Sequence, residues 1–332
     1  MNNYLFFRTD RIGDFLMSSI LLKSIKNNDP NSHITVVASN KNFFFIKKLN
    51  IVDEVIEYPS NPFKRFFFFL GLFKKKYYLT VALDGKKRSI INSVLCRSSI
   101  KVLITTKESY KKFLSFFFSL IIYSESYNSK IDEIKKILDT LNFNFDEKDL
   151  NIFTNEEDLF SKKKNLPDKF NVFHFDEKWL TNKYINDYTQ IEPSTEELLL
   201  FLKQVVKNTD SNLVISTGIF LNPIVEELKF IFTEHSKHDF RLQYNNKTII
   251  LLTSLPFMEL SYVISKSSLM IACHGSLSHL ASAFNIKIID IFEERERYTY
   301  YKWNAHFRNY KFIYRTDFNI LSNVEDEIST II

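Results

Sequence analysis

Short apolar runs alternate with amphipathic stretches of helical length along almost the whole chain, a pattern that requires a parallel α/β sheet with helices packed on its faces. Tyr4–Arg8, His33–Ala38, Glu54–Tyr58, Leu79–Leu83 and Ile100–Ile104 read as strands. Between the first two, Asp14–Lys26 places Phe15, Leu16, Ile20, Leu21 and Ile25 at helical spacing, and a further helix is predicted near Asn42–Leu49. The alternation resumes at strand Asn171–Phe175. It continues through helix Thr195–Val206, strand Leu213–Ser216, helix Pro223–Phe232, strand Thr248–Leu252 and helix Phe257–Ser265. Strand Leu269–Ala272, helix Ser276–Phe284 and strand Lys287–Ile291 follow, and Val324–Ile332 reads as a closing helix. Asp146–Lys169, polar, charged and containing Pro167, is a candidate boundary. The expected arrangement is therefore two lobes, residues 1–155 and 168–332, with the closing helix a candidate to pack back on the first. Sheets of this kind bind ligands beyond the carboxyl ends of their strands.

Composition narrows what those strand ends can do. With only 5 glycines in 332 residues, none of them closely spaced, neither a G-x-G-x-x-G dinucleotide loop nor a P-loop can form. Two cysteines, Cys96 and Cys273, cannot build a disulfide framework or a thiolate zinc site. Met1-Asn2-Asn3-Tyr4 runs straight into an apolar strand with no signal-peptide pattern, and the apolar runs Phe66–Phe73 and Phe113–Tyr123 are too short to span a bilayer. A cytoplasmic protein is expected. The net charge of +5 is uneven, +9 over residues 1–150 and −4 over the rest, so the first half is the one expected to meet an anionic partner. A well-solvated basic surface would give the same imbalance.

Three constellations lie at predicted strand ends. In Arg8-Thr9-Asp10-Arg11-Ile12-Gly13-Asp14, Gly13 permits a close approach and Asp14 falls at a helix start. A carboxylate there either caps the helix or serves as a general base, with Arg11 available to an anionic group. In Cys273-His274-Gly275-Ser276-Leu277-Ser278-His279, small residues at a helix start let backbone N–H groups reach a phosphate without a glycine loop. Ordinary capping by Ser276 with His279 in the core is the alternative, and two histidines five apart do not share a helical face as metal ligands would. Third, the strand ending at His174 leads through Asp176 and Glu177 to Lys178, which either offers its ammonium to a ligand or pairs with those carboxylates.

Taken together and in order, these runs resemble glycosyltransferase family 9, the ADP-heptose:lipopolysaccharide heptosyltransferase group. The family opens with R-x-x-x-I/L-G-D and an apolar helix, matched here by Arg8 through Asp14. Its second lobe starts with a strand ending in His and a following K-W, similar to His174 and Lys178-Trp179. Its donor loop, roughly D-T-G-x-x-H-L-A-A-A, is similar to His274 through Ala283. Aligned on His279, the family's acidic residue falls on His274 and its Gly on Ser276, and its later G-P-T is replaced by Glu293–Arg297. The donor nucleotide and sugar are left open by those departures.

The resemblance implies a GT-B type α/β fold of two Rossmann-like parallel-sheet lobes with an interlobe cleft. It also implies an inverting, metal-independent transfer of a sugar, heptose first, from a nucleotide donor such as ADP-heptose to lipopolysaccharide or another cell-surface glycan. No cofactor is implied. Asp14 would be the base; Lys178, His274, Gly275, Ser276, Leu277, Ser278 and His279 would bind the donor; Thr9, Arg11 and Gly13 would face the acceptor. The alternatives are a UDP-, GDP- or CMP-sugar donor, or a nucleotide-sugar-binding protein without catalysis. A nucleic-acid partner is not expected, because the basic residues are scattered and no recognised module is present. Pro62–Lys76 and Lys111–Tyr123 mix aromatic and basic residues. Both segments suit either a peripheral site on an anionic membrane carrying a lipid-linked or oligosaccharide acceptor, or core helices with snorkelling lysines.

Overall fold

In the computed structural model, which describes residues 1–125, 128–153, 166–218, 220, 222–316 and 319–331, the apolar runs become strands buried on both faces. The middle of the candidate boundary, 154–165, and the last residue of the closing helix lie outside the described residues. The chain divides into two units, Met1–Ile152 with Tyr298–His306, and Phe153–Arg297 with Phe307–Ile332.

The first unit carries strands β1 (Asn3–Arg8), β2 (His33–Ala38), β3 (Glu54–Glu57), β4 (Lys76–Ala82), β5 (Arg97–Thr105) and β6 (Leu120–Tyr123). Its helices are α1 (Ile12–Asn28), α2 (Phe43–Ile46), α3 (Pro62–Lys74), α4 (Lys87–Leu95), α5 (Glu108–Leu114) and α6 (Lys130–Asp139). All strand pairs are parallel, in the order β3-β2-β1-β4-β5-β6. Phe7, Ala82 and Leu103 are register partners on adjacent parallel strands and so point to one face. On that face Leu5 and Phe7 pack with Leu72 and Phe68 of α3, while Ala82 and Leu103 pack with Ile90 of α4 and Leu114 of α5. Three helices therefore cover one side of this sheet. Pro62–Lys74 and the first part of Lys111–Tyr123 thus form an outer layer, while Phe118 is buried and Leu120–Tyr123 is strand β6 of the sheet.

The second unit carries β7 (Phe170–Phe175), β8 (Asn212–Thr217), β9 (Thr233–Ser236), β10 (Asp239–Tyr244), β11 (Lys247–Leu252), β12 (Leu269–Cys273), β13 (Lys287–Phe292) and β14 (Tyr310–Tyr314). Its helices are α7 (Thr195–Thr209), α8 (Pro223–Ile231), α9 (Phe257–Ser265) and α10 (Ser276–Ala283). After the bridging α11 (Arg297–Asn304) comes α12 (Ile320–Ile331). The strand order is β14-β13-β12-β7-β8-β11-β10-β9. This sheet is not wholly parallel, because β9 and β10 form an antiparallel hairpin on its edge. A tight turn can join only antiparallel neighbours, and His238 makes that turn with a positive φ of 70°. The core is built on Phe173, Phe175, Trp179 and Phe201, whose rings lie 5.1–5.9 Å apart.

The closing helix corrects one expectation. Ile320, Val324 and Ile328 recur at helical spacing and bury α12 in the core of its own unit against α7, rather than on the first lobe. The excursion to the first unit is made instead by Tyr298–His306. There Lys302 donates to the carbonyl of Ser124, and the Lys130 ammonium lies 4.9 Å over the Trp303 ring.

In each sheet the first strand is central. The chain winds outward from it on one side, then crosses back to build the other, so the order reverses between β1 and β4 and again between β7 and β12. Such switch points leave a crevice at the carboxyl ends, where the flanking loops part to opposite sides. The scarcity of glycine leaves its mark on the turns. Left-handed backbone falls on Asn142, Asn182, Asp210, His238, Asn245, Asn246, Ser254, Asn285 and Asn319, and among the described glycines on Gly85. Asn and Asp are the residues with side chains that tolerate this region best.

Gly85 has φ +60°, and a Cβ there would stand 2.9 Å from the carbonyl oxygen of Ile104, whereas a Cβ on Gly71 in α3 meets nothing within 4 Å. Gly85→Ala is expected to lower unfolding stability by about 1–2 kcal/mol and Gly71→Ala to raise it by about 0.5–1 kcal/mol. Denaturant melts of the two variants check the opposite signs.

Candidate functional site

At the first switch point the turn after β1 is held by a buried arginine. Arg8 donates from Nε and Nη2 to the backbone carbonyl of Asp14 at 3.0 and 2.8 Å, and from Nη1 to the carbonyl of Leu83 at 2.9 Å. The turns after β1 and β4 are thereby fastened together. Asp14 accepts from the backbone N–H of Arg11 at 3.2 Å, so its carboxylate does cap the helix start, through one oxygen. Arg11 is exposed beside it and Gly13 is buried in α1. Thr9, expected to face an acceptor, is buried. Its hydroxyl donates to Asp84 at 2.6 Å and accepts from Arg88 at 2.7 Å, so it locks the two turns instead. The Lys86 ammonium donates to the carbonyl of Thr9 at 2.8 Å; Asp84, Lys86 and Arg88 lie at and just before the start of the short α4, which has no periodicity long enough to mark them in the sequence. Burial holds the Asp10 carboxyl above the usual carboxylate range against the pull of Arg8, and Asp14 and Asp84 nearby add to the rise.

At the second switch point β7 ends in a turn capped by Asp176, which accepts from the backbone N–H of Lys178 at 3.1 Å. The Lys178 ammonium lies 2.8 Å from the other oxygen of Asp176 and 3.4 Å from the carbonyl oxygen of Cys273, across the switch point on β12. His174 also faces Asp176, at 3.4 Å, and its Nδ1 is 2.9 Å from the Ser216 hydroxyl. Burial alone would raise the Asp176 carboxyl and lower the Lys178 ammonium. The opposite charge of each outweighs it, so Asp176 is held well below the carboxylate range and Lys178 above the lysine range. Lys178 is therefore an ion-pair partner of Asp176, one of the two alternatives the sequence leaves open, and it stays charged at neutral pH.

Gly275 leaves room here for the Lys178 ammonium. A Cβ would stand 2.8 Å from the Lys178 ammonium, so the ammonium occupies the volume a side chain would take at the start of α10. Ser276 is the first, partly exposed residue of that helix. The remainder of the expected donor set divides. Leu277, Ser278 and His279 are buried, because α10 turns them into the core. His274 Nδ1 lies 2.7 Å from Asp290, and the Ser278 hydroxyl donates to the other Asp290 oxygen at 2.6 Å. Asp290 is fully buried with a partner on each oxygen, as a buried carboxylate must be. A lone Asp in the apolar run Lys287–Phe292 was the signal for it. The rings of His274 and His279 meet edge to face at 5.4 Å.

Arg315, directly after β14, is buried and fastens this edge. It donates to the carbonyl of Lys178 at 2.9 Å and to that of Thr189 at 3.0 and 3.1 Å, and pairs with Glu293 at 3.3 Å. Glu293 in turn accepts from the backbone N–H of Thr189. One member of the acidic run after β13 is thus architectural. A separate hollow of about 530 Å³ lies between α7 and α12, with Glu192, Glu197 and Glu325 on its walls, a set that repels a diphosphate. Among the described residues no three His, Cys, Asp or Glu side chains gather as a metal site would require, and no helix is long and apolar enough to cross a membrane.

No protein-family model matches the chain, and no curated protein sequence does. Solved structures do. E. coli heptosyltransferase WaaC with ADP superposes with a TM-score of 0.67 at 14% identity, over 99% of this chain and 97% of that one. A glycosyl transferase of family 9 from Veillonella parvula gives 0.66 at 14%, over 100% and 93%. E. coli ADP-heptose lps heptosyltransferase II gives 0.66 at 12%, over 100% and 98%. The chain has the two-unit α/β fold of these enzymes along its full length.

The ion pair sets a pH signature. Asp176, depressed when folded, contributes stability that is complete above roughly pH 5 and is lost as pH falls through the unfolded carboxylate value of about 3.9 and below. Asp176→Asn is expected to cost about 3 kcal/mol at neutral pH by leaving Lys178 buried without its partner. Thermal melts of both proteins should converge as the buffer is taken below about pH 4.

Proposed function

We propose that this protein is an inverting glycosyltransferase that needs no metal or cofactor, moving a sugar from a nucleotide donor to a cell-surface glycan. Heptose from ADP-heptose is the first donor to test and lipopolysaccharide the first acceptor class. The observation that supports this most strongly is the Lys178 ammonium held against Gly275 at the start of α10, in a fold shared along its whole length with heptosyltransferases. A permanent cation beside the amino end of a helix is suited to a diphosphate.

In the proposed reaction the acceptor oxygen attacks the anomeric carbon from the side opposite the leaving group, while Asp14 takes the acceptor hydroxyl proton. The bond from the anomeric carbon to the diphosphate oxygen breaks with its electron pair. Lys178, the first N–H groups of α10 and the Ser276 hydroxyl take up the negative charge that grows on the diphosphate. His274, fixed by Asp290, is the further side chain at this helix start and is proposed to orient the donor. Arg11 and the Gly13 turn are proposed to receive the acceptor, and Thr9 to hold that turn. Such an enzyme would work in the cytoplasm, where nucleotide sugars are made, on an acceptor carried at the inner face of the membrane.

A thermal-shift panel of ADP, UDP, GDP and CMP with their sugars tests the donor, since a ligand stabilises only the state that binds it. One nucleotide should raise the melting temperature of the native chain and fail to raise that of Lys178→Ala. Once a turnover assay exists, Asp14→Asn should lose about 10²–10⁴-fold in kcat with nucleotide affinity unchanged. Nucleotide binding without turnover on any glycan would instead favour a non-catalytic nucleotide-sugar-binding protein.

A further inference from the structure

The layer of α3, α4 and α5 on the first unit's sheet leaves large apolar side chains in solvent. Phe63 is 72% exposed, Phe66 and Phe67 58% each, Ile91 58%, Phe113 81% and Phe116 91%. Within α3 the exposed rings meet one another, Phe63 with Phe67 at 5.4 Å and Phe66 with Phe67 at 5.7 Å, while Phe68 and Leu72 on its other side reach the core. These rings are therefore not core residues with snorkelling lysines, one of the two alternatives the sequence left open.

The same stretch concentrates charge. Residues 61–119 hold thirteen Lys and Arg against two Asp and Glu, while the remainder of residues 1–150 is slightly acidic. The whole positive excess of the first half thus sits on and around the three helices that expose these apolar side chains. Lys64, Arg65, Lys74, Lys111 and Lys112 are exposed among the rings. Arg65 and Arg88 both approach the Tyr58 ring, at 5.6 and 4.8 Å, and Arg88 also donates to Thr9, which ties the edge of the patch to the Asp14 turn.

We propose that this face docks on the surface of a lipid bilayer containing anionic lipids, with the phenylalanines entering the interfacial region and the cations pairing with headgroups. A strongly basic face with protruding aromatics has that complementarity. A second copy of the chain does not, because a symmetric contact would bring two like-charged faces together. Docking here would present the Asp14 turn to whatever the bilayer carries, but it requires no sugar transfer and stands apart from that assignment.

Sedimentation of the full chain with phosphatidylcholine vesicles, with and without phosphatidylglycerol, tests it. The chain should pellet with the phosphatidylglycerol vesicles, less so as salt rises. Phe66→Ser with Phe67→Ser, and separately Lys111→Glu with Lys112→Glu, should each weaken partitioning at least about tenfold with an unchanged thermal melt. Equal binding to both vesicle types, no binding, self-association through this face in place of vesicle binding, or capture of a single-stranded oligonucleotide with the vesicles left unbound would each overturn it. The measurement needs neither donor nor acceptor, so its failure leaves the glycosyl-transfer assignment standing, and a failed transferase assay leaves this one standing.

Discussion

A parallel sheet leaves the loops at its carboxyl edge with little regular hydrogen bonding of their own, and in both units a buried guanidinium supplies it. Arg8 ties the turn after β1 to the turn after β4 through two carbonyl groups; Arg315 ties the Lys178 turn to the Thr189 loop in the same way. A guanidinium can do this because its donors lie in a rigid plane and its charge does not titrate away. Each is balanced by a carboxylate, Asp10 for Arg8 and Glu293 for Arg315. Remove either arginine and two backbone carbonyls lose its hydrogen bonds at once, next to the residues proposed to meet substrate.

The functional groups follow from this framework. Because each sheet starts at its centre, the first strand's loop always lies at a switch point, and the R-x-x-x-I-G-D turn and the His174–Lys178 turn are those first loops. The second unit then adds a constraint of volume. Lys178 sits at the start of α10 in the space that a side chain on Gly275 would take, and it stays charged there because Asp176, held by its own turn, pairs with it. Sequence, packing and electrostatics converge on one ammonium.

Much of this was legible in the residues. Every strand up to β13 other than β6, β9 and β10 carries an apolar run, most of them because a strand buried on both faces has to be apolar throughout. β6, the β9–β10 hairpin and β14 do not stand out in the sequence; β6, β9 and β14 are edge strands and β10 lies next to one. In β9, β10 and β14 one side meets water and the apolar pattern is broken by Glu234, Arg241 and Lys311, whereas Leu120–Tyr123 of β6 merges with the apolar run that precedes it. Asp14, Lys178 and Gly275 could be singled out because they follow strands directly. Arg315 could not, since its strand was not recognised, and Thr9 could not be assigned to the interior, since its burial depends on Asp84 and Arg88 some eighty residues away. Local pattern reveals elements; which polar side chains face inward is decided by partners distant in sequence.

The left-handed turns carried by Asn, Asp, Ser and His have a consequence in the unfolded chain. A glycine at each would relieve native strain, but it would also widen the conformational freedom given up on folding. With five glycines in 332 residues, the denatured ensemble is comparatively stiff, and ordering each of those nine left-handed residues costs less entropy than it would with glycine. Part of this protein's stability is therefore held outside the folded contacts, in the narrowness of the state it folds from.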